Sequence, residues 1–221
     1  LIDAASKPAK MLIFANPMNP VGCWLNPSDL KRVITAKHPD TLLVLDEAYY
    51  EYASSGDYCS GQEMLEATFG NWIILRTFSK AWGLAGLRIG FGICNSEELR
   101  AALDLTRTPF NVNAVAQMAA VAALSAQGFM KTNIAETIRE RVRIEKAISE
   151  LGFQTAPSLG NFLFFDTETS SVKLSVELLK LGTVVKPWKQ KGFENFIRVS
   201  IGSVIENDQF IKHIKALTKA D

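Results

Sequence analysis

The residues with the clearest chemical potential lie in one segment, residues 76–90, which follows a short apolar run. Lys80 lies between the hydroxyls of Thr77 and Ser79 on one side and a glycine-rich turn that leads to Arg88 on the other. A lysine amine can form a Schiff base with an aldehyde, and a guanidinium with nearby hydroxyls can bind a phosphate. The segment therefore predicts a site for an aldehyde that carries a phosphate.

This segment resembles the lysine signature of the class I and II aminotransferases, the fold-type I enzymes that use pyridoxal 5′-phosphate. The match covers the hydroxyl-x-Ser-Lys pattern and the downstream Gly-Leu-Arg-x-Gly. The resemblance implies that Lys80 is the catalytic lysine and that Thr77, Ser79 and Arg88 bind the cofactor phosphate. A lone lysine after a strand would most simply be a surface residue, so the flanking pattern is what favours the functional interpretation.

A second match lies upstream, in residues 16–22, and follows an apolar strand. It resembles the Asn-Pro-x-Asn-Pro-Thr-Gly loop of the same family, with Val21 in place of threonine. The resemblance implies that Asn19 donates a hydrogen bond to the ring oxygen of the cofactor. It also implies a cis bond between Asn19 and Pro20, which proline permits at low cost. Taken alone, the pattern would also fit a plain Asn-Pro turn.

A carboxylate follows the apolar run 41–45, which is typical of a strand buried on both faces. Ligands of open α/β sheets bind at the carboxyl ends of such strands. By resemblance, Asp46 contacts the pyridine nitrogen of the cofactor, and Tyr49 donates a hydrogen bond to its ring oxygen. A helix N-cap is the alternative role for Asp46. Glu47 is expected to be structural or solvated.

The final match is at residues 195–202, which resemble the family's last strand. There the resemblance implies that Arg198 binds the substrate carboxylate, which suits a guanidinium because the two groups can form parallel hydrogen bonds. An exposed arginine on an alternating strand is the simpler alternative. Four motifs in the order of the family, spread across nearly the whole chain, favour the functional interpretation.

Within the family, three shorter motifs resemble the histidinol-phosphate aminotransferases. They imply substrate-binding roles for Phe110, Asn161 and Lys186. The subgroup has arginine where this chain has Lys186, and lysine binds phosphate only as a point charge. Two amino donors therefore stay open, histidinol phosphate and an aromatic amino acid, with a 2-oxo acid such as 2-oxoglutarate as the acceptor. The implied context is amino-acid biosynthesis, specifically histidine biosynthesis.

Composition excludes several other classes of function. The 221 residues carry a net charge of +1, so no electrostatic argument favours nucleic acid or an anionic membrane. No apolar run is as long as a membrane span. Three cysteines and two histidines lack the spacing of a metal site, and an odd number of cysteines predicts reduced thiols in a cytoplasmic protein.

Strands and helices alternate in the first part of the chain, which predicts an α/β fold with a mostly parallel sheet. We expect a large pyridoxal-phosphate domain at 1–139 and a small α+β domain at 140–221. The predicted strands are 11–15, 41–46, 72–76, 88–94, 162–165, 184–185 and 196–199. The predicted helices are 28–37, 63–68, 96–106, 114–151 with a break at 127–128, 171–181 and 206–219. The strand 88–94 follows a short connection and is expected to be antiparallel.

The chain has no initiator methionine and begins about ten residues before its first strand. The N-terminal portion of the family, with a phosphate-binding turn and a ring that stacks on the pyridine, has no counterpart here. We expect the sequence to be part of a longer chain that forms a homodimer, as the resemblance implies. Two alternatives remain: another fold-type I enzyme, such as a decarboxylase or lyase, and a truncated, non-catalytic remnant.

Overall fold

A computed structural model describes residues 1–53, 57–68 and 70–218. The chain divides into two compact units. The first comprises Leu1–Pro17 with Trp24–Thr132, and the second comprises Met18–Cys23 with Asn133–Asp221. The division near residue 132 falls inside a helix, α7 (Gln127–Ser149), as does the predicted boundary near residue 140, which stays a prediction.

The first unit is built on a four-stranded sheet in the order β1 (Met11–Ala15), β2 (Leu42–Asp46), β3 (Trp72–Thr77), β4 (Gly90–Cys94). The first three strands are parallel, and β4 is antiparallel to β3, which confirms the predicted orientation. The prediction that this last strand begins at Arg88 was wrong. Arg88 has φ +54° and ends a short 3-10 helix, Ala85–Leu87, so the extended backbone begins only at Gly90.

Six helices accompany this sheet among the described residues: α1 (Ile2–Ala5), α2 (Pro27–Ala36), α3 (Tyr50–Ala53), α4 (Gly61–Leu65), α5 (Glu97–Thr106) and α6 (Ala114–Ser125). Asn26 caps α2 by accepting a hydrogen bond from the Asp29 amide. Ser60 caps α4, which therefore begins earlier than the predicted residue 63. Leu30, Leu45 and Ile74 are among the apolar side chains that fill the core between α2 and the sheet.

The second unit contains β5 (Phe162–Asp166), α8 (Ser171–Lys180), β6 (Lys186–Pro187), β7 (Phe196–Ser200) and α9 (Val204–Thr218). Its antiparallel sheet has the order β5-β7-β6, and apolar side chains from α7, α8 and α9 form its core. The predicted strand 184–185 was wrong, because pairing starts at Lys186 and Val184 is exposed. A two-residue edge strand tolerates Pro187, which has no amide hydrogen to donate. The predicted last helical residue, 219, lies outside the described residues.

Candidate active site

Asp46 occupies the carboxyl end of the central strand of the parallel sheet. In the strand register it lies between Ala15 of β1 and Leu75 of β3. The side chain is half-buried, and its Oδ1 accepts a hydrogen bond from the Ala48 amide at 3.0 Å. Asp46 therefore lies where open α/β sheets bind ligands. The alternative role of a helix N-cap was wrong, because this hydrogen bond closes a turn and the next helix, α3, begins only at Tyr50.

Lys80 follows the end of β3 and lies beside Tyr49. The Lys80 Nζ is 5.5 Å from the centroid of the Tyr49 ring, and the Tyr49 side chain is buried. The lysine is half-buried and forms no ion pair with a carboxylate of residues 1–53, 57–68 or 70–218. A partly enclosed amine without a counter-ion is available for covalent chemistry.

The three residues predicted to bind phosphate lie along one stretch of backbone. Thr77 Oγ1 accepts a hydrogen bond from the Ser79 amide at 3.0 Å, which shapes the turn before Lys80. The Phe78 amide donates to the carbonyl of Ile89 at 3.2 Å, and this contact brings the backbone that follows Arg88 beside the hydroxyl residues. Arg88 is exposed, and its Nη1 donates to the Ala85 carbonyl at 2.7 Å.

A buried ion pair lies behind this edge of the sheet. The carboxylate of Glu47, directly after Asp46, is fully buried and accepts two hydrogen bonds from Arg76, at 2.9 and 3.1 Å. The Tyr58 hydroxyl donates to the same carboxylate at 3.0 Å, and burial together with that carboxylate raises the pKa of Tyr58. Glu47 is thus structural, one of its two expected roles. Its partner Arg76 was not anticipated, because the two residues are 29 positions apart.

In the second unit, the side chain of Arg198 forms a hydrogen bond with the side chain of Asn19. Arg198 Nη1 donates to Asn19 Oδ1 at 2.6 Å, and the guanidinium carbon lies 5.4 Å from the centroid of the Phe162 ring. Arg198 Nε is buried and has no hydrogen-bond partner within the described part of the chain. The structure therefore brings together two predicted site residues that are 179 positions apart.

The loop that carries Asn19 is held by the loop before β5. A Cβ at Gly22, which has φ +93°, would collide with Ser158, and Leu159 donates its amide to the Gly22 carbonyl at 3.0 Å. The predicted cis bond before Pro20 is confirmed, and the bond between Asn16 and Pro17 is cis as well. This loop therefore requires glycine for both its conformation and its close approach.

Lys186 and Phe110 differ in their surroundings. Lys186 is directly opposite Arg198 in the antiparallel pair β6–β7, so the two side chains share one face of the sheet. Phe110 is fully exposed, with φ +56°, on the loop between α5 and α6. Asn161 is half-buried, and its carbonyl accepts a hydrogen bond from the Ile201 amide at 2.9 Å. The substrate-binding roles of these three residues stay predictions.

Two kinds of feature are absent from the described residues. Within residues 1–53, 57–68 and 70–218, no group of three or more His, Cys, Asp or Glu side chains is arranged to hold a metal ion. Over the same residues, no helix combines the length and apolarity that crossing a membrane would require.

Residues 1–214 match the model of the family "Aminotransferase class I and II". The chain is 49% identical over 215 residues to histidinol-phosphate aminotransferase 3 of Rhizobium meliloti (strain 1021), covering 97% of this chain and 58% of the relative. It is 51% identical over 217 residues to histidinol-phosphate aminotransferase 1 of Mesorhizobium japonicum, covering 98% and 59%. The chain thus spans somewhat more than half the length of these relatives.

The fold matches a solved structure, the histidinol-phosphate aminotransferase from Sinorhizobium meliloti in complex with pyridoxal-5′-phosphate. The TM-score is 0.87 at 30% sequence identity, and the match covers 96% of this chain and 58% of that one. This agreement confirms the predicted fold class, an α/β fold of fold-type I.

Proposed function

We propose that this chain, which belongs to the aminotransferase class I and II family, supplies the catalytic lysine of a pyridoxal-phosphate-dependent aminotransferase. The observation that carries the proposal is the half-buried Lys80 amine, without a carboxylate partner in the described residues, at the end of the strand next to that of Asp46. An amine and a carboxylate on neighbouring strand ends suit this cofactor, which needs both.

The chemistry of the available donors fits pyridoxal phosphate. Lys80 offers an amine, Asp46 offers a carboxylate for the pyridine nitrogen, and the Thr77 and Ser79 hydroxyls with Arg88 offer donors for a phosphate. We assign Asn19 and Tyr49 to the ring oxygen by family resemblance. When bound, the cofactor supplies an aldehyde for amines and a ring that withdraws electrons from the α-carbon of the substrate.

Each residue has a separate task in the proposed reaction. Lys80, once its amine is free, would take the proton from the α-carbon of the amino donor and pass it to C4′, the carbon at which the cofactor is bound. With the oxo-acid acceptor, the same amine would move a proton in the reverse direction. Asp46 keeps the pyridine nitrogen protonated. Arg198 orients the donor by its carboxylate or phosphate, for which its planar fork and its Nε, without a partner in the described residues, are suited.

The first proposed amino donor is histidinol phosphate. The proposed acceptor is 2-oxoglutarate, which becomes glutamate. Two cations opposite each other on one sheet face, Lys186 and Arg198, repel unless an anion lies between them, and a phosphate dianion would satisfy both. The names of the two relatives described above point to the same substrate. An aromatic amino acid is the second candidate, because Lys186 replaces the arginine of the subgroup.

The other functions considered from the sequence are less favoured. A decarboxylase or lyase would share Lys80 and Asp46, but the two curated relatives named above are aminotransferases. A non-catalytic remnant would have no reason to keep Lys80, Asp46 and Arg198 at their family positions.

A homodimer and a cytoplasmic location complete the proposal. Val115, Met118 and Val121 recur at helical spacing along α6 and are each about two-thirds or more exposed, at 67%, 74% and 67%. Such an apolar stripe supports a subunit interface. The three cysteines are free, which suits a reducing compartment. Light scattering of the intact protein would test the dimer, and a monomer at micromolar concentration would argue against it.

The experiment that tests the function is an absorbance titration of the intact protein with pyridoxal phosphate, followed by glutamate. We expect a long-wavelength band on loading and its replacement by a shorter-wavelength band on addition of glutamate. The alternative result is a loaded protein whose spectrum does not change with glutamate or histidinol phosphate but which releases carbon dioxide from an amino acid. That result would identify a decarboxylase.

A further inference from the structure

The segment that carries Lys80 makes two contacts with the start of α3 and the residue before it. The first is the contact between the Lys80 amine and the Tyr49 ring, directly before α3. The second lies two residues along from the lysine, where the indole Nε1 of Trp82 donates a hydrogen bond to Glu51 Oε1 at 2.8 Å. Because Tyr49 and Glu51 are two positions apart, one short stretch of chain at the start of α3 contacts both the lysine and the turn that contains it.

Trp82 is a member of that turn. The Gly83 amide donates to the Lys80 carbonyl at 3.0 Å, so the four residues that start at Lys80 form a β-turn with Trp82 in third position. The ring of Trp82 also packs on Phe78, with centroids 5.7 Å apart. Phe78 therefore contacts the apolar face of the indole while Glu51 accepts from its polar edge, and together they fix the turn.

The hydrogen bond from Trp82 to Glu51 provides a directional contact that packing of an aromatic ring alone does not provide. Glu51 is buried, with 9% of its surface exposed, and a buried carboxylate is retained only where it has hydrogen-bond donors. A phenylalanine at position 82 would keep one aromatic ring beside Phe78 but would have no N–H to donate. The indole N–H therefore adds a directional link to α3 that an apolar ring would lack.

We propose that Glu51 and Trp82 are positioning residues, whose hydrogen bond sets the place of Lys80 relative to Tyr49. The proposal rests on the proposed role of Lys80. Neither side chain acts on the substrate directly. They restrict the turn that begins at Lys80, and a reactive group displaced by about 1 Å can lose on the order of a hundredfold in rate.

The test compares two substitutions that each remove one indole N–H. Trp82→Phe removes the bond to Glu51, and Trp24→Phe removes a bond of the same kind to the Asp57 carbonyl at 3.1 Å. Hydrogen exchange is measured first on the intact, cofactor-free protein. We expect the Gly83 and Leu84 amides, which close the turn, to exchange at least about tenfold faster in Trp82→Phe. The Trp24→Phe protein should match the unsubstituted one at both amides.

Kinetics and two changes at Glu51 complete the test. In Trp82→Phe we expect kcat to fall at least about tenfold while the KM of the amino donor changes by less than about threefold. Glu51→Gln keeps a side-chain carbonyl that can accept the hydrogen bond from the indole. In this variant the Gly83 and Leu84 amides should exchange as slowly as in wild type. Glu51→Ala should behave like Trp82→Phe in both exchange and kinetics. If the Trp82→Phe protein does not fold, the Glu51→Ala protein provides the same test.

Two results would overturn the proposal. One is unchanged exchange at Gly83 and Leu84 in both Trp82→Phe and Glu51→Ala. The other is an equal acceleration in Trp24→Phe, which would show a general loss of stability. A wild-type protein that shows no spectral response to glutamate would remove the proposed function, whereas the exchange comparison would still decide whether this pair holds the Lys80 turn.

Discussion

Arg198 and Asn19 are joined by a hydrogen bond of 2.6 Å from the guanidinium Nη1 to the amide Oδ1. The arginine is at the centre of β7, and the asparagine is in the Asn-Pro loop near the other end of the sequence. Both belong to the second compact unit. The bond orients the guanidinium and leaves its Nε, which has no partner in the described residues, for an anionic ligand.

The first prediction concerns this bond. Asn19→Ala should raise the KM of the amino donor by about tenfold to a hundredfold, because hydrogen bonds to charged groups contribute about 1.5–3 kcal/mol. The measurement is a steady-state titration of the donor, with the dissociation constant of pyridoxal phosphate measured alongside. Asn195→Ala, which removes an exposed amide just before β7, should leave the KM of the donor unchanged. A donor KM in Asn19→Ala within twofold of wild type would contradict the orienting role.

The second prediction concerns Lys80. Lys80→Ala should abolish the long-wavelength band of the loaded protein and lower kcat by more than about a thousandfold, because the substitution removes both the covalent partner and the base. Borohydride reduction and mass analysis should place the fixed cofactor on the peptide that contains Lys80 in the wild type. Lys131→Ala, at an exposed position of α7, is the control. Cofactor fixed to another lysine would refute the assignment.

The third prediction tests the phosphate substrate. Because Lys186 lies opposite Arg198, Lys186→Met should lower kcat/KM for histidinol phosphate by about tenfold or more and leave phenylalanine within about twofold. Lys186→Arg should improve histidinol phosphate turnover, since it restores the bidentate fork. Lys173→Met, at an exposed site on α8, controls for the change in net charge. Equal losses with both donors would indicate that Lys186 does not recognise phosphate.

Elements with strong local patterns could be predicted from the sequence. The apolar runs of β1, β2 and β3 were sufficient to find these strands. Only β2 and the first half of β3 are buried as such runs predict, because Met11 and Ile13 of β1 are exposed. The place of Asp46 at a strand end followed from the same runs. The short helices α1 and α3, with four residues each, were missed because one turn is too short for an apolar period.

Long-range pairs could not be predicted in the same way. The pair of Glu47 with Arg76 and the pair of Glu51 with Trp82 join positions 29 and 31 apart. Parallel pairing of β2 with β3 brings together the segments that follow these two strands, and no local pattern encodes that pairing. The late start of β4 has a different cause, because Arg88 adopts a left-handed conformation that is rare outside glycine.

The fourth prediction concerns the buried ion pair. Glu47→Ala should lower the free energy of unfolding by about 3–5 kcal/mol, because it leaves the Arg76 guanidinium, 13% exposed, without its carboxylate. Arg76→Met should have an effect of similar size. The measurement is denaturant unfolding of the cofactor-free protein. The protein with both Glu47→Leu and Arg76→Met should be more stable than either single variant, because it leaves no buried charge without a partner. A double variant that is less stable than both single variants would contradict this explanation.

The fifth prediction concerns pH and Glu51. Burial is the main cause that raises the pKa of Glu51 above its ordinary 4.5, so the folded protein binds this proton more strongly than the unfolded chain. Stability from this group is therefore complete below pH 4.5 and is lost as the pH rises through the raised pKa. Glu51→Gln cannot ionise and keeps an acceptor for the Trp82 indole. Its free energy of unfolding should increase relative to wild type as the pH rises above 4.5, and the difference should then level off.

Unfolding curves for both proteins at several pH values measure this difference directly. The nearby charges of Arg76 and Glu47 act on the ionised Glu51 carboxylate and not on a glutamine, so they contribute to this difference. Arg76 lowers the pKa of Glu51 and Glu47 raises it, while burial is the largest cause. Glu136→Gln, at an exposed position of α7, is the control for removing one carboxylate from the protein. A difference for Glu51→Gln that moves in favour of the wild type as the pH rises would mean that the ionised Glu51 carboxylate is stabilised where it is buried. In that case the bond from Trp82, together with the Arg76 charge, would outweigh the desolvation of the carboxylate.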